Sequence, residues 1–152
     1  MQRGDVDEIL AIERASFPAP WPRSAFDLAL AAPELLSQVA EFERIVGYVV
    51  GCPDDNHLLI ANIAVCPDAR RQGLGRVMLE AAIDHAQRIH LEGCELDVRA
   101  SNLGARRLYR EFGFKVIGVR PGYYQHPDED SVAMRLAFAG PRSAPDQVST
   151  PQ

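Results

Sequence analysis

The residues that could do chemistry cluster in a few places. One is Arg70–Gly75, RRQGLG, which follows an apolar β-branched run at 57–65 (HLLIANIAV) and precedes a helical pattern over 76–91. Strand, glycine turn and helix in that order let the backbone approach a ligand at Gly73 and Gly75, where no Cβ stands in the way. The free N–H groups of the helix's first turn carry the positive end of its dipole. Arg70, Arg71 and Arg76 add fixed positive charge at the same point. Together they suit a phosphate or pyrophosphate. The stretch lacks the Gly-Lys-Ser/Thr ending of a P-loop and the three-glycine dinucleotide fingerprint, and a glycine pair before a helix also serves as a plain turn.

A second cluster is the strand 94–100, CELDVRA. Period-two alternation points Leu96 and Val98 one way and Glu95, Asp97 and Arg99 the other. Three ionisable groups on one strand face suit a wet cleft; a salt-bridged surface is the alternative. The aromatic residues divide in the same way. Trp21, the single tryptophan, sits in the proline-rich segment FPAPWP, where it either plugs the core edge or touches a substrate. Tyr109 lies on a helical stripe with Ala105, Leu108 and Phe112, so it is a core ring or a hydroxyl presented to a site. Tyr123 and Tyr124 stand in a polar loop, 122–130, with His126.

The elements that must position these groups are legible from patterning. Asp5 and Glu8 predict a capping box for a helix over 6–16 that turns Val6, Ile9, Leu10 and Phe17 inward. Pro22 opens a second helix to about Ala31. Strands are expected at 36–42, 44–52 and 57–65, with Pro53–Asn56 as a turn. The helix 76–91 carries an apolar stripe of Met78, Leu79, Ala82, Ile83, Ala86 and Ile89, and Gly93 breaks it. A short helix begins at Ser101-Asn102 and stops at Gly113, and strands 114–120 and 131–138 close the chain. Residues 1–138 make a single domain, and 139–152 reads as a disordered tail.

Composition bounds the class. At 152 residues, 47% apolar and 24% charged, the chain matches one globular domain with a real core. A net charge of −5 argues against nucleic acid and favours a basic partner. Cys52, Cys66 and Cys94 show neither disulfide nor zinc spacing, so no metal is expected, and Cys66 reads as a small buried thiol. No apolar run reaches the roughly 18 residues of a membrane span, and no signal pattern opens the chain, which points to the cytoplasm.

Arg70-x-x-Gly73-x-Gly75 after Asn62-Ile63-Ala64-Val65 resembles the coenzyme A pyrophosphate loop of the GCN5-related N-acetyltransferases. NIAVCP, RRQGLGR, DVRASN, RRLYREFGF, the Tyr123-Tyr124 pair and the early FPAPW segment extend the likeness over most of the chain. They are similar to the bacterial type that acetylates the N-terminal alanine of a small-subunit ribosomal protein. The resemblance implies an α/β fold with a mainly antiparallel sheet of six to seven strands and about four helices, splayed at 57–65 and 94–100 to admit acetyl-CoA. Ile63, Ala64 and Val65 would pair with the pantetheine arm. Arg70, Arg71, Gln72, Gly73, Leu74, Gly75 and Arg76 would surround the pyrophosphate, and Asn102 would also touch the coenzyme. Tyr109 matches the general acid. Asp97 matches the glutamate base, one methylene shorter, so it acts directly or through a water, or Glu95 takes the role. Trp21, Tyr123 and Tyr124 would meet the acceptor, a basic ribosomal N-terminus. A small-molecule amine acetyltransferase and a non-catalytic acyl-CoA module are the rival readings, and the oligomeric state is open.

The family fold opens with an edge strand. Only Met1–Arg3 precede the first helix here, whereas edge strands usually run about five or six residues. The expectation is a strand cut short, leaving the edge of strand 36–42 exposed, or a natural chain that starts upstream.

Overall fold

The computed structural model of the protein describes residues 1–140. The helices are α1 (Val6–Ser16), α2 (Arg23–Ala31), α3 (Leu74–Arg88) and α4 (Leu103–Glu111). The strands are β1 (Leu36–Glu41), β2 (Ile45–Asp54), β3 (His57–Val65), β4 (Gly93–Arg99), β5 (Lys115–Tyr124) and β6 (Glu129–Ala137). They form one six-stranded sheet in the order β1-β2-β3-β4-β6-β5. Every neighbouring pair is antiparallel except β3 and β4.

Both faces of the sheet centre are covered, which explains the unbroken apolar runs in β2 and β3. On one face Met78, Leu79, Ala82 and Ala86 of α3 pack with Val49, Leu58, Ile60, Leu96 and Met134. On the other, Val6 and Ile9 of α1 and Phe26 of α2 pack with Ile45, Tyr48 and Val50. Alternate residues of β2 therefore serve opposite layers.

Several boundaries differ from the sequence reading. Residues 1–3 form no strand: Arg3–Asp5 coil into a 3₁₀ turn, and the terminal ammonium meets the Ser37 carbonyl at 3.3 Å beside the edge strand β1. The capping box lies one turn early, with the Gln2 N–H donating to Asp5 at 2.7 Å. Glu8 instead accepts the Ile45 N–H at 3.0 Å, tying α1 to β2. The strands run through Pro53, and the turn narrows to Asp55-Asn56, with Asp55 at φ 53°. α3 stops at Arg88 because His90 turns left-handed at φ 63° and Leu91 donates back to Ala86 at 2.9 Å. Ile89 consequently leaves the apolar stripe and is 41% exposed. Cys66 is half-buried, 3.5 Å from an Arg44 guanidinium nitrogen. The expected tail falls, from 141 onward, outside the described residues.

Gly93 pins the junction on which the sheet turns. It pairs with His57 of β3 on one side and Ala137 of β6 on the other. A Cβ there would run into the Leu136 carbonyl oxygen and lie 3.1 Å from the His57 ring. Gly93→Ala should therefore cost about 1–3 kcal/mol of stability, read as a lower urea midpoint at unchanged slope.

Candidate active site

The site begins where a ladder ends. β3 and β4 pair only at His57–Gly93, Leu58–Cys94 and Leu59–Glu95. From Ile60 onward the two strands part, leaving the backbone edge of Ile63–Val65 without a β4 partner. Two cavities open into the gap, of about 630 Å³ and about 550 Å³. Ile63, Asn102, Ala105 and Tyr109 line both.

The first cavity is built on the glycine turn. Gly73 caps α3 at φ 80°, a left-handed geometry, and a Cβ added there would meet open space. The first helical bond runs from Val77 N–H to the Gly73 carbonyl at 3.1 Å, so the N–H groups of Leu74, Gly75 and Arg76 have no helical acceptor. Arg70, Arg71, Gly73, Leu74, Gly75 and Arg76 line the cavity with Ile63, Ala64, Val65 and Asn102; Gln72 does not. The arginines are differently employed. Arg70 bonds the Val65 carbonyl at 3.1 Å and Ser16 Oγ at 3.2 Å, which ties the loop to β3 and α1. Arg76 pairs with Glu111 and stacks 5.1 Å over Phe112. Arg71, at φ 64°, faces the cavity from the turn itself. Asn102 caps α4, accepting the Ala105 N–H at 3.2 Å.

The second cavity gathers Trp21, Asp97, Tyr109, Tyr123 and Tyr124. Register decides which carboxylate reaches it. Glu95 sits opposite Leu59, within the last β3–β4 pair, and is held by Arg135 at 2.5 Å with His57 at 3.8 Å. Asp97, two residues on, lies past the split and lines the cavity. Ser131 Oγ at 2.7 Å and Arg120 Nε at 3.3 Å both address its Oδ1. Neither of these contacts uses Oδ2.

Tyr109 is 7% exposed, and its ring lies 5.8 Å from that of Phe114. Burial, with Tyr124 nearby, pushes its phenol up to about 12, so it keeps its proton at neutral pH. The core and site readings of this residue are both satisfied: the ring packs inward while the residue lines both cavities. Tyr124 is likewise pushed up to about 12, by burial and then by the Asp97 charge.

Some residues of the site were not singled out in the sequence. Ser131 is fully buried and orients Asp97. Arg99, read only as one of three charges, clamps the β5–β6 hairpin: it bonds the Pro127 carbonyl at 3.0 Å and the Gln125 carbonyl at 3.3 Å, and lies 4.5 Å from the Tyr124 ring centre. Glu13, 1% exposed, sits at the back of the second cavity. Its place on the inner stripe of α1, four residues after Ile9, was the available signal. Among the described residues no cluster of His, Cys, Asp and Glu is arranged to hold a metal, and no helix is long and apolar enough to cross a membrane.

The family model described as "Acetyltransferase (GNAT) family" matches residues 6–114. The chain is 31% identical over 141 residues to the [ribosomal protein bS18]-alanine N-acetyltransferase of Escherichia coli K12, covering 91% of this chain and 95% of that protein. It is 32% identical over 136 residues to the putative enzyme of that name from Bacillus subtilis, covering 88% and 90%. The crystal structure of the Escherichia coli ribosomal-protein-S18-alanine N-acetyltransferase superposes with a TM-score of 0.83 at 29% identity, covering 95% of this chain and 96% of that one. With a strand–glycine turn–helix cradle opening onto a split sheet, and with these matches along nearly its whole length, the chain belongs to the GNAT acetyltransferase family.

Proposed function

We propose that this protein transfers an acetyl group from acetyl-CoA to the N-terminal α-amine of a protein, the N-terminal alanine of a small-subunit ribosomal protein, by direct transfer with both substrates bound. The observation that carries the reading is that Tyr109 lines both cavities, one with an anion cradle and one without, and shares the second with Asp97. The similar Escherichia coli and Bacillus subtilis proteins, named for that reaction, support the acceptor. A ribosomal acceptor places the reaction in the cytoplasm, and a net charge of −5 complements a basic partner.

The residues fit the coenzyme. The open space at Gly73, the free first-turn N–H groups of α3 and the guanidinium of Arg71 would hold its pyrophosphate, and the unpaired edge at Ile63–Val65 would accept its amide arm as an added strand. When bound, acetyl-CoA supplies an acyl group activated as a thioester. Asp97 Oδ2 accepts the proton of the terminal ammonium, whose pKa of about 7.7–8.0 asks little of a carboxylate base. Tyr109 holds a proton for the departing thiolate. Ser131 and Arg120 fix the Asp97 carboxylate, which compensates in orientation for its short side chain. Glu95, engaged by Arg135 outside the second cavity, is not needed as the base.

The direct test is turnover of acetyl-CoA with a panel of peptides and small amines. Peptides with a free N-terminal alanine and basic residues behind it should be the best acceptors; preference for a small amine would move the reading to the small-molecule class. Gly73→Val should weaken acetyl-CoA binding about tenfold or more by calorimetry, with circular dichroism unchanged. Tyr109→Phe keeps the ring and removes the donor, so kcat should fall roughly 10²–10⁴-fold while coenzyme affinity holds. The pH profile follows from the direction of the Tyr109 shift. A raised phenol is lost only as pH climbs through about 12, so kcat/KM should rise as the acceptor amine deprotonates and then stay level to about pH 10.

A further inference from the structure

Glu13 ends in an unusual place for a carboxylate: 1% exposed, in the last turn of α1, where the helix dipole disfavours negative charge. Both oxygens are taken. Oε1 accepts the Trp21 N–H at 2.9 Å, and Oε2 accepts the Asn62 side-chain amide at 2.9 Å and the Tyr48 hydroxyl. These donors belong to the α1–α2 turn, to β3 and to β2. The same turn places Trp21 on the wall of the second cavity and Phe17 on the wall of both, while Asn62 lines the second and precedes Ile63, which lines both. Trp21 has one other anchor, its ring 5.5 Å from Phe26, which stands edge-on to Tyr48.

We propose that Glu13 is a positioning residue for the acceptor: it fastens the Phe17–Trp21 turn to β3, so that the acceptor wall keeps a fixed distance from Asp97 and Tyr109, which line the same cavity. This rests on the acetyl-transfer reading of the site. With three donors bound to its two oxygens, the Glu13 carboxylate is held by the fold, so the role is to hold the wall, not to move a proton. Irregular segments with three prolines offer few backbone donors of their own, and the Trp21 N–H is the one spent on this tie. Removing the carboxylate leaves two buried donors, on Tyr48 and Asn62, and the half-buried Trp21 N–H without their acceptor, and the turn is the partner free to move.

The experiment uses the full chain, in which Trp21 is the sole tryptophan, so intrinsic fluorescence reports on the wall directly. Glu13→Ala should shift Trp21 emission to longer wavelength and increase its quenching by acrylamide. It should raise KM for an alanine-terminated acceptor peptide about tenfold while KM for acetyl-CoA stays within about twofold. Glu13→Gln should restore both readouts. Its amide oxygen accepts from Trp21, its amide nitrogen donates to the Tyr48 oxygen, and Asn62 can turn its amide over to accept. Asn62→Ala removes only the tie to β3 and should move both readouts the same way, which keeps the test in force if Glu13→Ala does not fold. Unmoved fluorescence, an unchanged acceptor KM, or an equal rise in both KM values would overturn the proposal. So would a Glu13→Gln variant as impaired as the alanine, because that would assign the effect to charge. A wild-type chain that acetylates no α-amine would instead overturn the functional reading itself, while the emission comparison still reports whether Glu13 holds the turn.

Discussion

The structure depends on a short ladder between two parallel strands. β3 and β4 share only the pairs from His57–Gly93 to Leu59–Glu95, and each strand then runs on without the other. Leaving a strand edge unpaired in the middle of a sheet strands N–H and C=O groups that elsewhere would be satisfied. In the proposed reading the coenzyme would fill this cleft, and its amide arm would complete the ladder. The split also sorts the charges. Glu95 falls before it and is spent in an ion pair with Arg135, while Asp97 falls after it and stands at the cavity.

The walls on either side are held by opposite devices. The cradle at α3 needs no side chain at Gly73, only a left-handed turn and the N–H groups that any helix leaves free at its start. Across the gap, a guanidinium and a carboxylate gather loops. Arg99 collects the carbonyls of the β5–β6 hairpin, and Glu13 collects donors from the α1–α2 turn, β2 and β3. Tyr109 stands between, buried enough to stay protonated and placed to face both sides.

Much of this could be read from residue order alone. The α1 span, the strand before the glycine turn and the helix after it follow from periodicity and turn chemistry, because each is a local property, whereas the mainly antiparallel sheet was implied by the family resemblance. The meeting of Trp21, Tyr123 and Tyr124 with Asp97 followed only from likeness to a family, since it brings together residues from distant elements. What was missed was set by register or by tertiary partners. Glu95 and Asp97 share a strand face, and the length of the β3–β4 ladder decides which of them lines the cavity. Ser131 and Glu13 look unremarkable in sequence, and their burial becomes visible only when β6 and α1 are in place. The left-handed His90 that ends α3 carries no glycine to announce it. The strand expected at the start of the chain is replaced by a 3₁₀ turn, because Asp5 caps Gln2 and curls the segment before it can extend.

In the proposed reaction, coenzyme and acceptor meet at the split, with Tyr109 at the sulfur and Asp97 at the amine. A conjugate joining coenzyme A through its sulfur to the amine of an alanine-terminated peptide tests this most directly, by inhibition kinetics and a crystal structure of the complex. The conjugate should compete with acetyl-CoA, with the linking sulfur within hydrogen-bond distance of the Tyr109 hydroxyl and the former amine beside Asp97 Oδ2. A linking sulfur beyond hydrogen-bond reach of Tyr109, or a peptide lying away from the cavity of Trp21, Tyr123 and Tyr124, would overturn that placement.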